Sequence, residues 1–168
     1  MNPVIEMLKH AMQAERDGFY HYHAASEQMD DPKAKEVFEK LAQDELTHHK
    51  MLEETLAGVE KGQFPAKAMA RVQGPSPDLG GPSPIFGEDF KRRIKDKHFA
   101  LSALSIGMTL EQNSISFYGD MEKKAQDPAL KKLMAYLVKW EQSHLEALSA
   151  QAQLFRESGW ADAQFSPF

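Results

Sequence analysis

Two stretches decide the fold: Leu41-Ala42-Gln43-Asp44-Glu45-Leu46-Thr47-His48 and Leu137-Val138-Lys139-Trp140-Glu141-Gln142-Ser143-His144. Each sets Glu and His three residues apart among apolar residues at helical spacing, so on a helix both polar groups share the apolar face. The stretches lie 96 residues apart, and at that offset their surroundings repeat as well. Glu15 falls on Glu111, Tyr22 on Tyr118, Asp31-Pro32 on Asp127-Pro128 and Leu52 on Leu148. Each half reads Glu, Tyr seven residues on, Asp-Pro, then Glu-x-x-His beginning thirty residues after the first Glu. Two such units packed face to face would form a bundle with a pseudo-two-fold axis.

Working outward, the apolar period marks four helices. The first spans about 3–29, with Pro3 suited to a first turn. Asp-Pro signals open the second, to about Leu56, and the fourth, from Pro128 to about Ser158, where Gly159 supplies a stop. The third spans about 97–124. Helical hairpins over 3–57 and 97–158 are thus expected, joined by a crossover over 58–96 and followed by an aromatic tail over 159–168. The crossover holds Gly74-Pro75-Ser76-Pro77 and Gly80-Gly81-Pro82-Ser83-Pro84. So long a loop suits a bundle whose central connection must run the length of the helices. The expectation is one all-α domain over residues 1–168, an antiparallel four-helix bundle of two pseudo-symmetric hairpins.

Composition narrows the function. The 168 residues carry a net charge of −5 without basic clusters, which disfavours nucleic acid and anionic lipid as partners. No run is long and apolar enough to span a bilayer, and residues 1–12 carry charges unlike those of a signal peptide. A cytoplasmic protein is expected. There is no cysteine, which leaves His and carboxylates as the strong metal ligands.

Every candidate ligand falls on its helix's apolar stripe. These stripes run through Leu8, Ala11, Glu15, Phe19 and Tyr22; Phe38, Leu41, Glu45, His48 and Leu52; Leu104, Met108, Glu111, Ile115 and Tyr118; and Met134, Leu137, Glu141, His144 and Leu148. An isolated ion costs tens of kcal/mol in a low-dielectric interior. Four buried carboxylates must therefore be protonated, paired or bound to metal, and no Lys or Arg lies on these stripes. Two divalent cations would balance four carboxylates. One Glu from each of two helices and Glu-x-x-His from each of the others is the ligand pattern of carboxylate-bridged two-metal bundles. Mixed oxygen and nitrogen ligation suits iron, or manganese, over soft metals.

At Ala14-Glu15-Arg16-Asp17-Gly18-Phe19-Tyr20, at Leu41 through His48, and from Leu110-Glu111 to Phe117-Tyr118, the chain resembles the rubrerythrin branch of the ferritin-like family. The likeness covers roughly 5–57 and 98–160. It implies a di-iron site reacting with hydrogen peroxide or dioxygen, with Glu15, Glu45, His48, Glu111, Glu141 and His144 as ligands. In this reading Glu45 and Glu141 bridge, Glu15 and Glu111 are terminal, and each His serves a different ion. Typical members append a four-cysteine rubredoxin domain as electron donor; the chain has no cysteine, so an external reductant is expected. Their third helix also carries a second carboxylate one turn after the first. Here that place is Ser114, with Gly18 as its counterpart, and the small residues are expected to leave room for the oxidant.

Tyr22 and Tyr118 lie two turns from Glu15 and Glu111 on the same faces. They are expected either to bond the site's carboxylates, or to be oxidised protectively, or to be ordinary core tyrosines. Asp44, four residues before His48, is expected either to orient that imidazole or to be an ordinary solvated helix charge. Its counterpart is Trp140, so the two metal positions are expected to differ in affinity. His10, His21, His23, His49 and His98 read as surface or packing residues. Besides a peroxide-reactive oxidoreductase acting as a homodimer or larger homo-oligomer, a ferroxidase for iron storage or detoxification and a metal-free structural bundle remain open.

Overall fold

The computed structural model describes residues 2–62 and 97–162, and these form four long helices. Helix α1 spans Pro3–Gln28, α2 Pro32–Glu60, α3 Lys97–Lys124 and α4 Pro128–Asp162. The fold is all-α, as expected. Among the described residues, no helix is long and apolar enough to cross a membrane.

The helix starts follow from capping chemistry. The first backbone N–H groups of a helix have no intrahelical acceptor, and a side-chain oxygen just upstream can supply one. Asn2 Oδ1 accepts from Val4 N at 3.0 Å, and Asp31 Oδ1 from Ala34 N at 3.0 Å. Asp127 Oδ1 accepts from Ala129 N at 2.7 Å and Leu130 N at 3.1 Å. Pro3, Pro32 and Pro128 each open their helices, where a missing N–H costs nothing. The repeated Asp-Pro is thus a repeated cap.

Two helix ends differ from expectation. Helix α2 continues through Gly58 to Glu60 and stops where Gly62, at φ 69°, donates to Val59 O at 3.0 Å. Val59, beside Gly58, packs against the core and favours continuing the helix against the roughly 1 kcal/mol cost of an interior glycine. Helix α4 likewise runs past Ser158 and through Gly159 to Asp162. The remainder of the crossover, 63–96, and tail residues 163–168 lie outside the described residues.

α1 packs on α2, α3 on α4, and α1 on α3. Two apolar layers fill the interior. One joins Tyr22, Ala25 and Met29 of α1 to Phe38 and Leu41 of α2, Ala100 and Leu104 of α3, and Leu148 of α4. The other joins Leu8 and Ala11, Met51 and Leu52, Tyr118 and Met121, and Leu130 to Leu137. In every helix the six candidate ligands fall between the two layers. Each fully buried Leu or Phe contributes about 1.5–3 kcal/mol, so these layers hold the helices in place around the polar centre. The layers also set directions: α2 ends beside the second and α3 begins beside the first. The end of α2 and the start of α3 therefore lie at opposite ends of the bundle.

Candidate metal centre

Glu15, Glu45, His48, Glu111, Glu141 and His144 are all buried, none more than 3% exposed. Their atoms form two four-residue groups: Glu15, Glu45, His48 and Glu141, and Glu45, Glu111, Glu141 and His144. Within each group one ligand atom per residue lies within 4.8 Å of all the others. Glu45 and Glu141 belong to both groups, while each of the other four residues belongs to one. Glu45 and Glu141 thus stand between the two groups, and the other four residues lie on one side or the other.

Both imidazoles turn Nδ1 inward. His48 Nδ1 lies 3.2 Å from Glu15 Oε2 and 3.0 Å from Glu141 Oε1. His144 Nδ1 lies 3.2 Å from Glu141 Oε2 and 3.5 Å from both Glu45 Oε1 and Glu111 Oε1. The ring centroids stand 5.9 Å apart. Glu45 Oε1 and Glu141 Oε1 are buried without an aligned hydrogen-bond donor among the described residues. Unsatisfied carboxylate oxygens in a core are costly, and here they converge where a hard cation would meet them. The donor set therefore fits a metal site.

The second ring of contacts crosses between hairpins. Tyr22 donates from its hydroxyl to Glu111 Oε1, and Tyr118 to Glu15 Oε1. Both tyrosines are fully buried. Of the roles open for them, bonding to the site's carboxylates is the one this geometry displays, and the pairing follows the pseudo-two-fold. Burial, followed by the charge of Glu111, raises the Tyr22 hydroxyl well above its ordinary value; burial and Glu15 do the same to Tyr118. Both therefore remain proton donors to those carboxylates.

Proton affinities inside the cluster reflect crowded like charge. Burial, then Glu141 and Glu15, raises Glu45 well above the carboxylate range. Burial and Glu141 raise Glu111 to about 8. Burial alone would lower His48, but Glu141 and Glu15 lift it to about 10. Burial also opposes ionisation of Glu141, yet His48 and His144 hold it well below its usual value. In the absence of a cation the cluster thus compensates its negative charge by retaining protons.

Two expectations are corrected. Asp44 does not orient His48 on its own helix; its Oδ2 lies 3.3 Å from His144 Nε2 on α4. A residue one position before a ligand points toward the neighbouring helix and meets that helix's imidazole. The space beside Gly18 does not await an oxidant either. A Cβ there would lie 3.2 Å from Glu45 Cδ and 3.3 Å from Glu45 Oε2, so the glycine makes room for the Glu45 carboxylate itself.

Gly107 escaped the sequence reading. A Cβ at Gly107 would stand 3.0 Å from Tyr22 Cε1 and 3.2 Å from its hydroxyl. The missing side chain lets Tyr22 lie against α3 and reach Glu111. An interior glycine one turn before a ligand glutamate was its only sequence signal. The remaining histidines described stand apart from the centre: His21 Nε2 is 2.9 Å from Ala103 O, His23 stacks on Phe19, and His49 lies 3.4 Å from Arg16.

A four-helix bundle enclosing a carboxylate and histidine centre defines the class. The rubrerythrin family model matches residues 6–78, which take in the first hairpin, so that part of the chain is similar to the family. A solved structure of a hypothetical protein from Pyrococcus furiosus superposes with a TM-score of 0.69. It is 22% identical and covers 93% of this chain and 92% of its own, a likeness of fold. No match was found among curated proteins.

Proposed function

We propose that this chain is a di-iron oxidoreductase whose oxidant is hydrogen peroxide or dioxygen. The observation that carries the reading is the pair of overlapping donor groups, each with three carboxylates and one imidazole, sharing Glu45 and Glu141. Iron held there would supply paired one-electron steps, the requirement for reducing a two-electron oxidant. The match to the rubrerythrin model supports iron over a purely structural cation.

The chain's own residues set the conditions. His48 and His144 present Nδ1 to the centre. Tyr118 and Tyr22 hold Glu15 and Glu111 from behind, fixing the terminal carboxylates without neutralising them. The apolar layers on either side, with Phe38, Leu41, Leu52 and Leu137 buried, exclude bulk water. With no cysteine in the chain, the electrons that complete each cycle come from an external donor, a protein or a small reductant.

Anaerobic loading with ferrous iron followed by elemental analysis tests the first half of this reading. About two irons per chain are expected, and absence of bound iron sinks it. Adding stoichiometric peroxide tests the second half. Prompt oxidation of the bound iron and recovery on addition of a reductant are expected; iron that peroxide leaves ferrous refutes the assignment. Particle mass separates it from iron storage, because a mineral store needs a closed shell and many irons, whereas the proposed enzyme is a small homo-oligomer.

A further inference from the structure

We infer that Asp44 and Trp140 make the two metal positions unequal, so that the Glu111–His144 position fills before the Glu15–His48 position. The inference rests on the two-metal reading above. For either Nδ1 to offer its lone pair to a cation, the ring proton must sit on Nε2. At His144 that proton has an acceptor, Asp44 Oδ2, at 3.3 Å. Asp44 is only 16% exposed, so water competes weakly for this bond. A carboxylate behind a ligating imidazole fixes the tautomer, orients the ring and raises its basicity.

His48 has no such support. Its Nε2 is buried and has no hydrogen-bond partner among the described residues. In place of an acceptor it meets Trp140, the residue 96 positions on from Asp44, edge to face with centroids 4.7 Å apart. An indole offers no lone pair, and Trp140 Nε1 is itself without a partner. The tautomer that could bind metal therefore leaves a buried donor unpaired at His48. The opposite tautomer would turn N–H toward a glutamate oxygen at 3.2 Å in both rings, Glu15 Oε2 for His48 and Glu141 Oε2 for His144, so the difference lies on the Nε2 side. The unpaired Nε2 weakens the Glu15–His48 position. The pseudo-two-fold axis relates the ligands but not these partners. Read along one helix, Asp44 would favour His48; the packing across helices reverses that ranking.

The experiment is a manganese(II) titration of the full chain, followed by calorimetry and electron paramagnetic resonance. The first equivalent is expected to give the spectrum of an isolated ion, and the exchange-coupled pair is expected only with the second. The two steps should differ by about 10- to 100-fold, the usual effect of a ligand's outer partner. Asp44→Ala should weaken the first step by a similar factor and bring the two together, with Asp44→Asn intermediate because it keeps a neutral acceptor. Trp140→Asp should strengthen the second step. A coupled-pair spectrum from the first addition, or a first step indifferent to Asp44→Ala, overturns the inference while leaving the two-metal reading intact. Failure to bind manganese or iron at all overturns both. Thermal melting of each metal-stripped variant identifies any that is misfolded; if Trp140→Asp is, the wild-type steps and the Asp44 variants decide the question.

Discussion

Glu45 contributes one carboxylate to both halves of the centre, whereas Glu15 contributes to one. Glu45→Gln should therefore abolish the metal pair, while Glu15→Gln should leave about one metal per chain, read by elemental analysis. Metal-stripped Glu45→Gln should unfold within about 1 kcal/mol of wild type, because a neutral amide replaces a carboxyl whose charged form burial and Glu141 already disfavour. Gly18 acts through the same carboxylate. Gly18→Ala gains about 0.5–1 kcal/mol in helix propensity but sets a methyl 3.2 Å from Glu45 Cδ. Its stability should change little while metal affinity falls about 10-fold or more, measured by competition with a chelator. Unchanged affinity would show that Glu45 has slack. All six ligand candidates were legible from spacing alone, because Glu-x-x-His on an apolar stripe is costly unless something neutralises it. The role of Gly18 was not, since a missing side chain states nothing about what occupies its place.

At the scale of elements, the two Asp-Pro turns use one motif in different surroundings. Asp127 is exposed and caps α4, whereas Asp31 is 4% exposed and caps α2. Asp127→Ala should cost about 1 kcal/mol, the usual value of a cap. Asp31→Ala should cost more, because its removal also leaves a void beneath the turn. Urea unfolding with an unchanged m-value gives both numbers, and equal costs would show that burial adds nothing. Helix starts were legible here because a cap is local chemistry. The ends of α2 and α4 were not: Gly58 and Gly159 are weak breakers, and the helices continue past both.

For the whole molecule, proton and metal compete for one centre. In protein stripped of metal, Glu111 at about 8 and His48 at about 10 bind protons more tightly than the ordinary values of 4.5 and 6.5. Each group's contribution is complete below its ordinary value and is lost as pH rises through the folded one, so the stripped protein should lose Tm between pH 7 and 10. Glu141, held low, acts oppositely, and its contribution fades only as pH falls through the acid range. Metal displaces these protons, so affinity should rise with pH and loading should release protons, seen by calorimetry in buffers of different ionisation enthalpy. A stripped protein whose Tm rises steadily from pH 7 to 10 would contradict this account. By itself the sequence determined the four helices, their antiparallel hairpins and the six converging carboxylate and imidazole residues, because periodicity, capping and the cost of buried charge are properties of single helices. Only the tertiary structure decided what stands behind each ligand: Tyr22 on Glu111, Tyr118 on Glu15, Asp44 on His144 and Trp140 on His48. Those partners lie on different helices, and their pairing depends on how the hairpins rotate and slide against one another. An internal repeat indicates that two halves match, but it does not say which side chain of one faces which of the other.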